Sequence, residues 1–428
     1  MRGLTPAPAG RRELLLLGLV LALALLVRIA SIVLTQGGQL AGDQPEYDAA
    51  ARLFAEGHPF WGLAPTGEPH ESLWKAPGYG LWLGLIYSVA GPSLAVVGVL
   101  QALVSLVTVL LVWLLGRRLF NPGVGLAAAL VAAIYPFIWI WVPTLYPETL
   151  AVPLAALIFY LVLGRTPTAG RAAGVGALVG VALLIRPTSG FLFLGIAAAW
   201  IVASGWRRGI AMTALGVLCA ALVIAPWTIR NYAVSGAFVP LSVQDAAVYG
   251  TFNAESAADP ANPYAWRLVT EQSREILSRE PLPSEVELRR ELYDTAIEYV
   301  KAHPESIPAA IFWNGIYRLW DLRPPSLAMA EVRFEGRSPQ GTAIGLGMYY
   351  VLLVLALIGV WQHRARREIW VPVLALAVGA TLVFSVAAGT RYRATLEPLV
   401  VVLACAAAAG PLGRAAGRLE APEPASGA

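Results

Sequence analysis

Long runs of apolar residues alternate with short polar turns along most of the chain. The first run extends from about Leu14 to Leu34, and others recur as far as about Ala409. A helix needs roughly 20 apolar residues to cross the hydrocarbon of a bilayer, where lipid offers the backbone no other hydrogen-bond partners. The pattern therefore predicts an all-α polytopic membrane protein with about ten transmembrane helices.

One apolar run is too short to fit this scheme as a full span. It extends from Pro77 to Ala90, about 14 residues, and Gly91-Pro92 follows it. If this run crossed the membrane, Arg117 and the arginine after it would face outward, against the positive-inside rule. We therefore predict an outer half-helix that enters the membrane and turns back on the same side.

The same rule divides the chain into regions, because the arginines before the first run place the N-terminus in the cytoplasm. We predict an N-terminal transmembrane bundle over residues 1–231 with a first outer loop at 36–92, an extracytoplasmic helical loop at 232–340, C-terminal transmembrane helices at 341–410 and a disordered cytoplasmic tail at 411–428. Apolar residues at helical spacing predict amphipathic helices in both loops, at about 45–56, 284–301 and 304–320.

The composition supports a membrane protein and excludes some functions. The chain is 57% hydrophobic and 14% charged, whereas soluble domains have about 25% charged residues. Its net charge of +4 comes from arginines in short turns, so we predict no nucleic-acid partner. Cys219 and Cys405 lie in apolar runs, and His70-Glu71 offers at most two metal ligands. A divalent metal is therefore conceivable but unsupported, and no cofactor is certain.

Both signs of charge gather at the predicted outer ends of the spans. The acids are Asp43, Glu46 and Glu148, and the bases are Lys75, Arg186, Arg230, Arg391 and Arg393. Arg28, near the outer end of the first run, can snorkel to water or pair with an acid. Because ionisable groups at membrane depth are costly and usually functional, this arrangement predicts a site that handles a hydroxyl and a phosphate.

The two principal acids each allow a structural and a chemical interpretation. Asp43 can cap a helix, with Glu46 placed three residues later, or it can act as a general base toward an acceptor hydroxyl. Glu148 follows Pro147 and suits the first turn of a helix. It can equally contact the acceptor or pair with a cation.

The bases allow the same two interpretations. Lys75 can anchor the chain at the membrane surface, or it can serve as a point charge for a phosphate. Arg391 and Arg393 open the last span, where they fit either interface anchors or a clamp on a lipid phosphate. Arg230 and Arg186 leave the same choice open.

In their order and placement, these residues resemble a known family. It is the GT-C superfamily of integral membrane glycosyltransferases, in the branch that holds protein O-mannosyltransferases and lipid A aminoarabinose transferases. The matching segments are Asp43-Gln44-Pro45-Glu46-Tyr47, Lys75-Ala76-Pro77, Glu148, Arg186-Pro187, Pro226-Trp227-Thr228-Ile229-Arg230-Asn231 and Arg391-Tyr392-Arg393. Two positions depart from the family pattern: Gln44 replaces the second acid of Asp-Glu, and Ala76 replaces a frequent proline.

The resemblance implies transfer of a sugar, with inversion, from a polyprenyl-phosphate donor to a hydroxyl acceptor that is a lipid, a glycan or a protein. The site would face the extracytoplasmic side of a bacterial inner membrane, and the partners would be the lipid-linked donor, membrane lipids and an unidentified acceptor. It implies Asp43 as general base, Lys75, Arg391, Arg393 and Arg230 as ligands of the donor phosphate, and Glu148, Glu46, Tyr47 and Arg186 as acceptor-binding or supporting residues.

Two other functions remain open at this point. A transporter or flippase would show paired broken helices and charged residues at mid-bilayer, whereas the charges here lie mainly at the outer ends. A polysaccharide polymerase or ligase would share the lipid-linked donor and the large outer loop.

Overall fold

The structure, a computed structural model, describes residues 9–35, 39–64, 66–267 and 269–419. Nearly all of its regular structure is helical. Two short strands, β1 (Trp61–Leu63) and β2 (Pro69–Glu71), pair as one antiparallel hairpin. The predicted all-α class is confirmed for this part of the chain.

The N-terminal half contains ten helices among its described residues. They are α1 (Arg11–Thr35), α2 (Gln44–Ala55), α3 (Pro77–Ala90), α4 (Leu94–Leu119), α5 (Pro122–Ile134), α6 (Pro136–Trp139), α7 (Glu148–Val162), α8 (Ala169–Ile185), α9 (Leu192–Ser204) and α10 (Trp206–Ser235), with a 3₁₀ turn at Pro187–Phe191. The buried core lies mainly between α4, α5, α7, α8 and α9 and the C-terminal helices.

The C-terminal half begins with short helices and ends with three long ones. The helices are α11 (Val248–Thr251), α12 (Ala254–Ala258), α13 (Glu271–Leu277), α14 (Glu285–Ala302), α15 (Ser306–Ala310), a π-helix (Ile311–Arg318), α16 (Pro325–Glu335), α17 (Pro339–Gln362), α18 (Arg367–Val383) and α19 (Glu397–Leu419), with 3₁₀ turns at Val243–Ala247 and Thr390–Leu396. The short helices enclose a small apolar cluster of their own around Tyr249 and Leu292.

Several of these helices fit a membrane. By length and composition, five stretches of the described chain can cross one: Arg11–Thr35, Leu94–Leu119, Pro187–Ser204, Trp206–Ser235 and Pro339–Gln362. Shorter apolar helices lie at Pro122–Ile134, Glu148–Val162 and Ala169–Ile185. The polytopic membrane class is thus confirmed, while the number of about ten spans stays a prediction.

The short apolar run forms a helix with the predicted bounds. Pro77 opens α3 at a position where the missing N–H costs nothing. Gly91 ends it at φ 74°, a backbone angle that glycine adopts readily. The predicted tail differs from the structure at its start, because α19 continues to Leu419; residues 420–428 lie outside the described part. The other region boundaries stay predictions.

Arg28 neither snorkels nor pairs with an acid. Its side chain is fully buried between α1, α4 and α5. It donates to the Ser105 hydroxyl at 2.9 Å and to the carbonyls of Ala133 and Ala132 at 2.9 and 3.4 Å. These carbonyls lack helical partners because Pro136 has no N–H and interrupts the helix. Arg28 therefore caps the C-terminal end of α5, where the helix dipole favours a cation.

Replacing Arg28 with Met should destabilise the protein by about 1–3 kcal/mol, since buried carbonyls would lose their donors. The measurement is thermal unfolding of the purified protein in detergent, with Arg290→Gln as the control on the exposed face of α14. An unfolding temperature equal to that of the control variant would contradict this role.

Candidate functional site

The structure brings together a carboxylate and two cations that are far apart in the sequence. Asp43 immediately precedes α2, Lys75 lies two residues before α3, and Arg391 lies in the 3₁₀ turn before α19. Asp43 Oδ1 is 3.0 Å from Lys75 Nζ, and Asp43 Oδ2 is 2.8 Å from Arg391 Nη1. Lys75 Nζ also lies 3.0 Å from Glu46 Oε2. We call Asp43, Lys75, Glu46 and Arg391 the Asp43 group.

The Asp43 side chain does not cap α2. Its backbone is already helical, at φ −76° and ψ −10°, and its carboxylate accepts no hydrogen bond from the backbone of the helix. The residue before it, Gly42, adopts φ 61°, and a Cβ there would lie 2.4 Å from Tyr146 Oη. A glycine at this point allows the chain to approach Tyr146 closely and directs the Asp43 carboxylate toward the cations.

Glu148 links Arg186 to Arg391 behind the Asp43 group. Its side chain is 1% exposed at the start of α7, and its Oε1 lies 2.8 Å from Arg186 Nη1 and 3.4 Å from Arg391 Nε. The Tyr392 ring lies 5.0 and 5.1 Å from the two guanidinium carbons. Glu148 thus takes both places that the sequence left open, the first turn of a helix and the partner of a cation.

Mutual attraction keeps the charges of the group ionised despite burial. Burial alone would raise the pKa of Asp43, but Arg391 and Lys75 outweigh it and hold that pKa well below its usual range. Burial would lower the pKa of Lys75, and Asp43, Tyr47 and Glu46 instead raise it. Burial also raises the pKa of Tyr47, whose ring lies 5.2 Å from Lys75 Nζ, to about 12. At neutral pH Asp43 is therefore a carboxylate, and Lys75 and Arg391 are full cations.

Two predicted phosphate ligands do not contact this group. Arg393 is fully buried, 2.9 Å from Asp321 Oδ2 and 2.7 Å from Glu397 Oε1, with its guanidinium over the Tyr349 ring. Buried acids therefore already neutralise its charge.

Arg230 lies beside the strand hairpin instead. It donates to the Ser72 carbonyl at 2.9 Å, and its guanidinium carbon lies 5.0 Å from the Trp227 ring. Its nearest carboxylate is Glu71, at 3.8 Å. Its position is therefore set by the hairpin and by α10.

Sequence reasoning missed Glu335, the last residue of α16. Its Oε1 lies 4.0 Å from Arg391 Nε, and its Oε2 lies 2.5 Å from Arg337 Nε. The backbone carbonyl of Glu335 accepts a hydrogen bond from Gln44 Nε2. Gln44 Oε1 in turn accepts one from the backbone N–H of Leu145. The amide at position 44 thus joins two loops beside the site, which a second acid could not do while ionised. The signal available in the sequence was an acid and an arginine on either side of Gly336.

The described residues do not assemble a metal site. No three of their His, Cys, Asp and Glu side chains come close enough to hold an ion. His70 Nε2 instead lies 2.9 Å from Glu285 Oε1 and joins the hairpin to α14. Metal dependence stays an open prediction.

Sequence comparison gives one family. Residues 74–229 match the model of the dolichyl-phosphate-mannose-protein mannosyltransferase family. This segment includes Lys75, Glu148 and Arg186, and it leaves Asp43 and Arg391 outside. Comparison with curated proteins found no match.

Structural comparison gives a shared fold at low sequence identity. Two crystal structures of the Archaeoglobus fulgidus oligosaccharyltransferase, one in complex with Zn and sulfate and one in the apo form, align at TM-scores of 0.51 and 0.50 and 14% identity. The alignments cover 94% of this chain and 50% and 52% of the archaeal one. The chain therefore spans about half the length of that enzyme.

Apo ArnT from Cupriavidus metallidurans aligns at a TM-score of 0.41 and 16% identity, over 93% of this chain and 78% of that one. The archaeal structures share the fold of this chain, and the family model matches its sequence over residues 74–229. Together they confirm the resemblance of this chain to the GT-C superfamily of integral membrane glycosyltransferases.

Proposed function

We propose that this protein transfers a sugar from a polyprenyl-phosphate donor to a hydroxyl acceptor on the extracytoplasmic face of the membrane. The observation that carries the proposal is the Asp43 group, in which one partly exposed carboxylate touches two cations. The carboxylate suits an acceptor hydroxyl, and the cations suit a phosphate. The description of the matching family, dolichyl-phosphate-mannose-protein mannosyltransferase, supports a lipid phosphate as the carrier of the sugar.

In this mechanism Asp43 removes the proton of the acceptor hydroxyl. The hydroxyl oxygen attacks the anomeric carbon from the face opposite the phosphate, and the bond from that carbon to the phosphate oxygen breaks. The electron pair of the broken bond stays on the phosphate. Because the attack comes from the opposite face, the sugar is transferred with inversion. Lys75 and Arg391 stabilise the charge that develops on the leaving phosphate, and Asp43 later releases its proton to water.

The neighbouring residues hold the cations in position. Glu148 contacts Arg391 at Nε, whereas Asp43 contacts it at Nη1, and Arg186 balances the charge of Glu148. Glu46 and the Tyr47 ring contact Lys75. Since both cations touch one carboxylate, a phosphate bound to them would lie within a few ångströms of the base.

The surroundings of Lys75 suit a donor with a hydrocarbon tail. The lysine lies two residues before α3, whose apolar side chains Leu81, Leu85 and Val89 are exposed at four-residue spacing. In a membrane these side chains face lipid, which is also where the isoprenoid tail of a donor would lie. The turns at the opposite end of the bundle carry arginines such as Arg208 and Arg366. By the positive-inside rule that end is cytoplasmic, which supports an extracytoplasmic site.

The proposal is tested with the purified protein in liposomes, supplied with radiolabelled polyprenyl-phosphate-mannose and a membrane extract as the source of acceptors. We expect protein-dependent loss of donor, release of polyprenyl phosphate and a labelled product with inverted anomeric configuration. Liposomes without protein give the background, and GDP-mannose serves as a donor without lipid. Use of the nucleotide sugar alone would contradict the proposal. Movement of intact donor across the bilayer without bond cleavage would indicate a flippase instead.

A further inference from the structure

We infer that the Asp43 carboxylate occupies the position of the donor phosphate, so that donor binding exchanges ion pairs and releases Asp43 to act as the base. This inference rests on the proposed function and adds to it a coupling between donor binding and activation of the base. The base, Asp43, and the phosphate ligands, Lys75 and Arg391, would then not act independently of each other.

Asp43 uses both of its carboxylate oxygens on the two cations. One oxygen binds Lys75 at 3.0 Å and the other binds Arg391 at 2.8 Å. The Lys75 and Arg391 side chains are 17% and 15% exposed, and that of Asp43 is 34% exposed. A phosphate arriving from solvent therefore meets two cations that already bind the more exposed carboxylate of Asp43. It can take the N–H groups that Asp43 occupies on the two cations only if Asp43 moves.

Each cation also has a second acidic partner that does not depend on Asp43. Glu46 Oε2 lies 3.0 Å from Lys75 Nζ, and Glu148 Oε1 lies 3.4 Å from Arg391 Nε. These contacts keep the two side chains near each other. Their charge is then available to a phosphate without rearrangement of the backbone.

Asp43 can turn away without breaking a hydrogen bond of α2. Its carboxylate makes no capping hydrogen bond to α2, so rotation of the side chain breaks no bond of the helix. The helix begins with Pro45 within its first turn, which fixes the backbone independently of Asp43. A side-chain rotation is therefore enough for the exchange.

The exchange also explains how a strongly paired carboxylate can serve as a base. While Arg391 and Lys75 are close, they hold the pKa of Asp43 well below its usual range, although burial alone would raise it. A carboxylate in that state accepts a proton poorly. Once a phosphate binds the cations, burial and the nearby Glu46, Glu148 and Glu335 all favour a higher pKa. Asp43 thus becomes basic only when a donor is present.

The test is the affinity for farnesyl phosphate, a short polyprenyl monophosphate, measured by calorimetry in detergent. If Asp43 holds the cations for about nine-tenths of the time, Asp43→Asn should bind farnesyl phosphate about tenfold more tightly than wild type. Farnesol, which lacks the phosphate, should bind both proteins equally. Inorganic phosphate forms a separate arm and shows whether the phosphate alone is enough. Asp43→Ala replaces Asp43→Asn if the latter does not fold.

The matched control is Glu46→Gln, which also removes one negative charge beside Lys75 but leaves Asp43 on both cations. We expect a clearly smaller gain in affinity for this variant. Equal gains would indicate general removal of charge and would overturn the exchange, as would unchanged or weaker binding by Asp43→Asn. Sugar transfer is measured separately on wild type. Tighter binding by Asp43→Asn without any sugar transfer by wild type supports the exchange and contradicts the proposed transferase activity. Sugar transfer by wild type without tighter binding by Asp43→Asn supports the activity and contradicts the exchange.

Discussion

Sugar transfer by the Asp43→Asn variant should be about 10²- to 10⁴-fold slower than wild type in kcat, the usual contribution of a general base. Asparagine has nearly the same shape as aspartate, but only one of its two terminal atoms accepts a hydrogen bond, so it can keep the contact with Lys75 or with Arg391 but not with both. It cannot take the proton of a hydroxyl. The loss should therefore appear in kcat at saturating donor, and the KM for the donor should not rise.

The control for this prediction is Asp48→Asn. Asp48 lies in α2, five residues after Asp43, and is a carboxylate of the same kind, but it contacts Arg52 at 2.7 Å and Tyr87 at 2.6 Å rather than the Asp43 group. We expect its turnover to stay within about twofold of wild type, since Asp48 contacts neither Lys75 nor Arg391 and asparagine can still accept the hydrogen bond from Tyr87. Initial rates with polyprenyl-phosphate-mannose measure both variants. Wild-type turnover in Asp43→Asn would remove Asp43 from the mechanism.

Local sequence signals were enough to place α3 and the residues at its ends. Proline at the start, glycine at the end and an apolar run between them predicted a helix from Pro77 to Ala90, and the structure has a helix with these bounds. Such signals act within one turn of the chain, so they require no knowledge of tertiary contacts. The same holds for Glu148, which the preceding Pro147 placed in the first turn of a helix.

The partners of the arginines could not be predicted in this way. Arg391 and Arg393 are two residues apart and look equivalent in the sequence. In the 3₁₀ turn they point to different partners, Arg391 to Asp43 and Glu148 and Arg393 to Asp321 and Glu397. Which acid each one meets depends on where α7, α16 and α19 pack. Arg28 is a further case, because its acceptors are carbonyls of a broken helix and no pattern of charges indicates them.

This difference gives the two arginines separate roles in one turn. The buried contacts of Arg393 with Asp321, Glu397 and the Leu319 carbonyl attach the turn to α19 and to the segment before α16. With Arg393 held on one side, the turn presents Arg391 on the other, beside Tyr146 and Tyr392. The position of Arg391, the cation proposed to meet the donor phosphate, thus depends on a second ion-pair cluster, that of Arg393, Asp321 and Glu397.

Replacing Arg391 with Gln should lower kcat/KM for the donor by about 10²- to 10³-fold, the usual effect of removing a group that stabilises developing charge. Glutamine can still donate a hydrogen bond but carries no charge for the leaving phosphate. Both KM and kcat should therefore change, unlike the pattern for Asp43→Asn. Arg391→Lys should recover part of the loss, because it restores the charge without the planar fork.

The control for this variant is Arg364→Gln, an arginine at the opposite end of the bundle whose guanidinium lies over Trp361. Its kinetic constants should stay near those of wild type. Steady-state rates over a series of donor concentrations separate KM from kcat for all three variants. If Arg391→Gln kept the wild-type KM and kcat, the donor phosphate would have to bind elsewhere, and the ion-pair exchange with Asp43 would lose its second cation. A change in kcat alone would instead place Arg391 on the leaving group only in the transition state, because an interaction made there lowers the barrier without contributing to donor binding.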